Sequence, residues 1–487
     1  MVSFIISLCA LILGYMLYGK FVEKVFGPDP ERTTPAIAKQ DGVDFIPMPG
    51  WKVYMIQFLN IAGTGPIFGA IMGAKFGPSA FLWIVFGCIF AGAVHDYLSG
   101  MMSLREGGVN LPELGGKYLG AGVKKVMLCF IVLLLVLVGA VFVYSPAIIL
   151  GEIAGVAGSG TTGSMMFWVA IIVIYYIVAT LLPIDKIIGK IYPLFAFALI
   201  FMAVGLMGGL FVKWPSIPEF WDGLQNRGPS IGMNGQSIFP CLFITIACGA
   251  ISGFHATQSP MMARCMQNEK LGRPIFYGAM ITEGIVALVW AAVSSYFFFD
   301  GGAAEVGADL TAAAPTVVTK VSKAWLGLFG GILDILGVVA APITTGDTAL
   351  RSARLTIADA MHLEQRSLGN RLKICIPLFA VVCLLIWFNI ADENGFNTIW
   401  RYFGWANQTL SIFTLWAITV YLAKNKGGRR YLITELPALF MTVVCLTYIL
   451  TQKIGFGLPM GVGLGIALAV AIGLHVLFQI KELGRRK

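Results

Sequence analysis

The feature that most constrains this chain is a succession of apolar runs of roughly 18 residues or more, each long enough to cross the hydrocarbon of a bilayer as a helix. They recur from Val2 to near residue 480. Of 487 residues, 57% are hydrophobic and 12% are charged, with a mean hydropathy of +0.82. A soluble domain carries about 25% charge, so this chain has too few polar groups to coat a water-facing surface. In hydrocarbon every backbone group needs an internal partner, which leaves the helix as the element that satisfies these runs. The fold class expected is an all-α polytopic membrane protein.

Thirteen spans can be counted. One is roughly Val2–Tyr18. Ten lie near 51–74, 79–104, 124–150, 166–183, 190–212, 238–265, 274–299, 326–350, 372–390 and 398–423, and two near 436–451 and 457–480. The first run follows Met1 without a basic segment or a small-residue cleavage site, and reads as a retained helix. Lys and Arg gather in alternate loops, at Arg105/Lys117/Lys124/Lys125, Lys186/Lys190, Arg264/Lys270/Arg273, Arg351–Lys373 and Lys424–Arg430, and in the tail Arg485–Lys487. Loops such as Gly151–Ser164 and Asp300–Pro315 have none. The positive side is expected to be cytoplasmic, so the N-terminus is outside and the C-terminus inside. This asymmetry accounts for the net charge of +9 without a nucleic-acid partner.

Two of the runs are interrupted. NIAGTGP, Asn60–Pro66, sits inside the span near 51–74, and SGFHATQSP, Ser252–Pro260, inside the span near 238–265. Glycines, threonine and proline so closely spaced do not sustain a helix. Bare backbone at bilayer depth is tolerated where it faces protein, water or ligand. The ten spans from 51 to 423 divide five and five, and an odd number per half inverts the second half. The expected organisation is an extra N-terminal helix (1–22), a first inverted repeat (51–212), a second (238–423) and two C-terminal helices (436–480). The first helix of each repeat is discontinuous, which points to a secondary transporter's binding site.

The nine cysteines form no CxxC pair and do not cluster with the four histidines, so neither a disulfide framework nor a zinc site is expected. Glycine is frequent, 58 of 487, and small-xxx-small pairs at Gly69/Gly73, Gly205/Gly209, Gly327/Gly331 and Gly461/Gly465 read as helix-packing positions. Gly461/Gly465 leaves oligomeric state open. No GxxxxGK[ST] motif, HExxH or nucleophile–base set occurs, so an ATPase or a membrane enzyme is the weaker alternative, beside a channel or nutrient sensor.

The runs LGYMLYGKFVEKVFGPDPERTTPA (Leu13–Ala36), DGVDFIP, NIAGTGPIFG, AGAVHDYLSGMMSLREGG (Ala91–Gly108), CGAISGFHATQSP (Cys248–Pro260) and APITTGDTALRSARLTIAD (Ala341–Asp359) resemble the carbon starvation protein A family. The resemblance implies an inner-membrane transporter of peptides or pyruvate, in the amino acid–polyamine–organocation superfamily, with the ten-helix inverted-repeat core. This chain is shorter than many members after the core.

Candidate site residues follow. At the first break Asn60, Ala62, Gly63, Thr64 and Gly65 place helix N-terminal N–H groups where a substrate carboxylate would bind; the plain alternative is a structural kink. At the second, Ser252, Gly253, Phe254, His255 and Thr257 supply polar groups and a wall. His255 either bonds substrate, carries a proton, or is satisfied by a neighbouring carbonyl. Glu283, near the middle of its span, is a second proton-coupling candidate or a carboxyl fixed between helices. Asp334 is a weaker one. His95 and Asp96 sit toward the cytoplasmic end of their span, as an inner gate or a capped helix end. Asp347 and Arg351 share a helix face and pair, with Arg354 nearby.

No cofactor is required, but a bound Na+ is considered. Its ligands would be carbonyls near Asn60 and Gly63, the carbonyl of Ala341, and the hydroxyls of Thr344 and Thr345. Sodium-coupled relatives in the implied superfamily have a similar Ala-x-x-Thr-Ser/Thr arrangement. The alternative is hydroxyls bonded back to their own helix. The function expected is secondary active uptake of a small carboxylate-bearing nutrient, peptide or pyruvate, by H+ or Na+ symport. The partners are that solute and the lipid bilayer.

Overall fold

The computed structural model describes residues 1–41, 45–153, 160–181, 185–232, 236–363, 367–392 and 395–483. The side chains of 160–161, 185–192, 328–331, 333–335, 359 and 483 are outside that description. The expectation about Asp334 therefore falls outside the described residues, as do the side chains of Lys186, Lys190 and Arg366 and the tail 485–487.

The described chain is all-helical. Among the described residues nine helices are long and apolar enough to cross a membrane: Val2–Phe26, Ser79–Arg105, Ala121–Ile153, Thr162–Leu181, Pro193–Lys213, Glu269–Phe299, Leu368–Ala391, Leu432–Thr451 and Met460–Glu482. A tenth is the bent pair Gly50–Ile61 and Gly65–Ala74, which meet at 48°. The expected thirteen is not reproduced on this measure. The reason lies in three of the counted runs. The span near 238–265 is broken at Ile246–Phe254. Ala340–Ala360 carries Thr, Asp and Arg along its length, and Gly395–Lys426 buries Asn407, Gln408, Ser411 and Thr414.

Polar contacts at the helix ends sort into two sets. At one end the Met1 amino group pairs with Glu219, Lys213 pairs with Glu305 at 2.6 Å, and the Thr316 hydroxyl donates to Glu152 at 2.8 Å. At the other, Gly27 ends the first helix with φ +66°, the left-handed turn that favours glycine. Its carbonyl accepts from Arg105 at 2.7 Å. Arg105 also reaches the buried Glu269 at 2.9 Å, and Arg264 donates to Gly108 at 2.8 Å. Every one of these contacts joins loops that the charge pattern had put on one side.

Glu269–Phe299 is a central helix, with Tyr277 and Trp290 fully buried. Met460–Phe478 is peripheral and exposes Ile466, Leu468, Val470, Ile472 and Leu477, a surface that suits lipid. The small-residue pairs behave differently. A Cβ at Gly69 would come 3.0 Å from the Thr245 carbonyl, so this glycine sets a close helix approach, whereas Cβ atoms at Gly461 and Gly465 would meet nothing within 4 Å.

Candidate functional site

Both interruptions are present. The first helix of the pair ends at Ala62 (φ −87°, ψ 49°), and the second starts after Thr64 with Pro66 at its first turn, where proline costs no hydrogen bond. The second interruption runs from Ile246 to Phe254, after which His255–Ala263 resumes the helix. The two lie against each other: Gly65 packs on the Cys248 side chain. A Cβ at Gly92, on the helix Ser79–Arg105, would strike the Ala250 carbonyl.

The unwound segment is held by Asn407 of the helix Gly395–Lys426. Its Oδ1 accepts from the Phe254 N–H at 2.7 Å and from the Ser252 hydroxyl at 3.1 Å. Its main-chain carbonyl accepts from the Gly253 N–H at 3.2 Å, and its Nδ2 donates to Cys248 Sγ at 3.5 Å. The Thr257 hydroxyl bonds the Phe254 carbonyl at 2.7 Å. At this break the Gly253 and Phe254 N–H groups are thus engaged within the protein. Phe254 is buried, which packing alone accounts for as well as a pocket wall does.

At the first break the polar atoms are less engaged. Asn60 Oδ1, Thr64 Oγ1 and both polar atoms of Gln57 are buried, with no hydrogen-bond partner among the described residues. Gln57 and Asn60, three apart on the first helix, share one face, and Thr64 lies beyond the break at the start of the second helix. Gly63 faces the helix Ala340–Ala360: a Cβ there would meet the Phe142 ring at 3.2 Å and Thr345 Oγ1 at 3.8 Å. Thr345 Oγ1 is buried and has no hydrogen-bond partner among the described residues. The Thr344 hydroxyl instead donates to the Ala341 carbonyl of its own helix at 2.8 Å. Two of the proposed sodium ligands therefore satisfy each other, while Gly63 and Thr345 are neighbours.

Beside the second break lies a row of four fully buried ionisable side chains. His95 Nδ1 is 2.8 Å from Asp96 Oδ1, Asp96 Oδ2 is 2.8 Å from His255 Nδ1, and His255 Nε2 is 3.4 Å from Glu283 Oε2. All four side chains are shielded from solvent. An ionised Asp96 accepts from both Nδ1–H groups, which leaves His255 Nε2 bare unless a proton lies there or on Glu283. A lone pair aimed at a carboxylate oxygen is repulsive, so the geometry suits one proton held between them. Donor atoms of Cys248, His255 and Glu283 all fall within 4.8 Å of one another, so the same atoms also have the spacing of a metal-ion site.

Sequence reasoning placed His95 and Asp96 at an inner helix end, whereas the structure puts them in this row. It missed Asn407 and Cys248. The signal available for Asp96 was a carboxylate inside an apolar span, which marks a functional position by default. Asp347 and Arg351 pair at 3.5 Å as the i,i+4 spacing implies, with Arg354 buried close by in sequence.

The family model described as "Carbon starvation protein CstA" matches residues 1–156, 146–327 and 301–448. A Haemophilus influenzae protein called an uncharacterized membrane protein is 49% identical over 339 residues, covering 61% of this chain and 91% of that one. The Escherichia coli peptide transporter CstA is 28% identical, covering 91% of this chain and 79% of the relative. The Escherichia coli pyruvate/proton symporter BtsT is 24% identical, covering 92% and 81%. Among solved structures, an Eremococcus coleocola manganese transporter superposes with a TM-score of 0.52 at 13% identity, over 92% of this chain and 99% of that one. That likeness is one of fold.

Proposed function

The chain belongs to the carbon starvation protein CstA family, and we propose that it is a proton-coupled importer of small carboxylate-bearing nutrients, pyruvate or short peptides, in the cytoplasmic membrane. Relatives named as a pyruvate/proton symporter and as peptide transporters support membrane transport and this class of solute. The observation that carries the coupling is the buried Asp96–His255–Glu283 row. Charges in a membrane interior are costly and are kept where a pathway uses them. Here they abut an unwound helix.

In this reading the substrate carboxylate sits at the first break, against Asn60, Ala62, Gly63, Thr64 and Gly65. The segment Ser252–Thr257 forms the facing wall. A proton arriving at His255–Glu283 neutralises the pair, and the loaded site then favours one orientation of the two repeats over the other, which is alternating access by population shift. Asp96 holds the His255 ring and tautomer through Nδ1. The five-plus-five repeat, with the N-terminus outside and the C-terminus inside, is part of the proposal. Its support is the matching position of the breaks and the sorting of end contacts.

A sodium-coupled variant rests on the unpartnered Thr345 hydroxyl beside Gly63. With the Thr344 hydroxyl and Ala341 carbonyl bonded to each other, it is the second reading.

The test is uptake of radiolabelled pyruvate and of dialanine into proteoliposomes, each competed by the other. Saturable uptake that rises with an inward proton gradient and persists with choline in place of sodium supports the proposal. Uptake that does not saturate favours a channel. No uptake of either solute under any gradient rejects the importer reading.

A further inference from the structure

Lys75 directly follows the half-helix Gly65–Ala74, at the end of the bundle that holds Met1, Lys213 and Glu305. It is half-buried and lines a pocket of about 350 Å3 together with Met72, Tyr144, Thr311, Phe396 and Asn397. No carboxylate lies within ion-pair distance of Lys75 among the described residues. Glu305 pairs with Lys213, and Asp300, just past Phe298, accepts from the Ser216 N–H at 2.7 Å. The ammonium lies over the Phe298 ring, its centroid 4.8 Å from Nζ.

An ammonium has three donors and no acceptor. An aromatic face attracts the charge but leaves N–H groups to satisfy. Withholding such a group from bulk water carries a cost unless an acceptor is present. The C-terminal dipole of the half-helix also favours a cation at this position, but that role needs no pocket. The walls are wet in character, with a phenol, an amide and a threonine beside the ammonium. The volume lies at the low end of ligand pockets, and matches about a dozen waters at ~30 Å3 each. It is roomy enough for a small carboxylate and its first hydration shell.

Lys75 is ten residues beyond Gly65 on one helix, about 15 Å from the first break at ~1.5 Å per residue. We propose that the Lys75 pocket is an outer recognition site for the carboxylate of a small organic acid or peptide, occupied before the solute reaches the broken helices. This rests on the reading of the chain as a carboxylate importer. The pocket supplies one positive charge and neutral hydrogen-bonding groups, so it selects an anionic carboxylate over its amide. It also raises the local concentration of anions at the mouth of the pathway.

The experiment acetylates the protein in proteoliposomes with a membrane-impermeant N-hydroxysuccinimide ester. The rate at Lys75 is read against Lys213 by mass spectrometry, so that reagent consumed by the solute cancels. Saturating pyruvate or dialanine is expected to slow acetylation of Lys75 at least threefold relative to Lys213, and pyruvamide or alanyl-alaninamide is not. Protection by one acid alone assigns the pocket to that acid. Equal protection by acid and amide, or none by either acid, overturns the proposal. In uptake, Lys75→Gln is expected to raise KM at least fivefold with the maximal rate within twofold, and Lys75→Arg to restore most of it. Unchanged KM in Lys75→Gln also overturns it. If the parent protein takes up neither solute, the importer reading fails, while the labelling still decides whether the pocket holds a carboxylate.

Discussion

The Nδ1 atom of His255 lies 2.8 Å from Oδ2 of Asp96, though 159 residues separate them along the chain. Asp96 rides on a continuous helix and His255 opens the half-helix that follows an unwound stretch. The contact therefore ties the end of the unwound backbone to a continuous helix through two buried ionisable side chains. Asp96→Asn keeps the shape and removes the charge. Uptake is expected to fall at least tenfold at pH 7, with a changed pH profile. Asp96→Ala is expected to cost about 3–5 kcal/mol of stability as well, because His95 and His255 lose a shared buried acceptor. Initial-rate pH profiles and thermal melts in detergent check both.

Asn407 serves the unwound segment at four points, three of them through its side chain. Replacing it with alanine leaves the Phe254 N–H and the Ser252 hydroxyl without their acceptor. A buried donor left unsatisfied costs about 1–3 kcal/mol. Asn407→Ala is expected to lower the melting temperature and to reduce uptake more than tenfold. A variant of parental stability and activity would show that the segment does not depend on this clamp.

Gly92 faces the Ala250 carbonyl so closely that any Cβ must push the unwound backbone away. Overpacking a tight interior costs about 1–3 kcal/mol. Gly92→Ala is expected to be destabilised by at least that amount. Gly461→Ala and Gly465→Ala, which meet open space, are expected to melt within error of the parent. Thermal unfolding of the three proteins side by side separates the two kinds of glycine.

How far the sequence reached follows from these particulars. The break within Asn60–Pro66 was legible because glycine and proline interrupt a helix by local chemistry; the second was expected at Ser252–Pro260, but the chain unwinds at Ile246–Phe254 and Pro260 sits inside the helix that follows. The sides on which loops gather were legible because Lys and Arg report them directly. Glu283 and His255 stood out because an ionisable group in an apolar run is costly. Asp96 was singled out, but its contact with His255 was not legible, since a partner 159 residues away is not written in the local sequence. Asn407, Cys248 and Lys75 were missed because their meaning comes from partners more than 150 residues away, or from a pocket assembled by several helices. The count of thirteen spans is not reproduced where a broken or polar helix no longer resembles an apolar run.

Thr345 and Thr344 differ in a way that bears on the coupling ion. The Thr344 hydroxyl is bonded to its own helix, and the Thr345 hydroxyl is directed toward Gly63. Under sodium coupling Thr345→Val would raise the sodium requirement at least tenfold, whereas Thr344→Val would change it less. Under the proton coupling proposed here, replacing sodium with choline at fixed pH leaves uptake within twofold in the parent and in both variants.

The central claim is that a proton crosses with the solute by way of His255 and Glu283. The most direct measurement records lumenal pH in proteoliposomes as pyruvate or dialanine is added outside, with no starting gradient. The account predicts acidification in step with uptake in the parent protein. It predicts no acidification in Glu283→Gln or His255→Asn, both of which still exchange labelled for unlabelled solute. Uptake without acidification in the parent, or parental acidification in both variants, would contradict it.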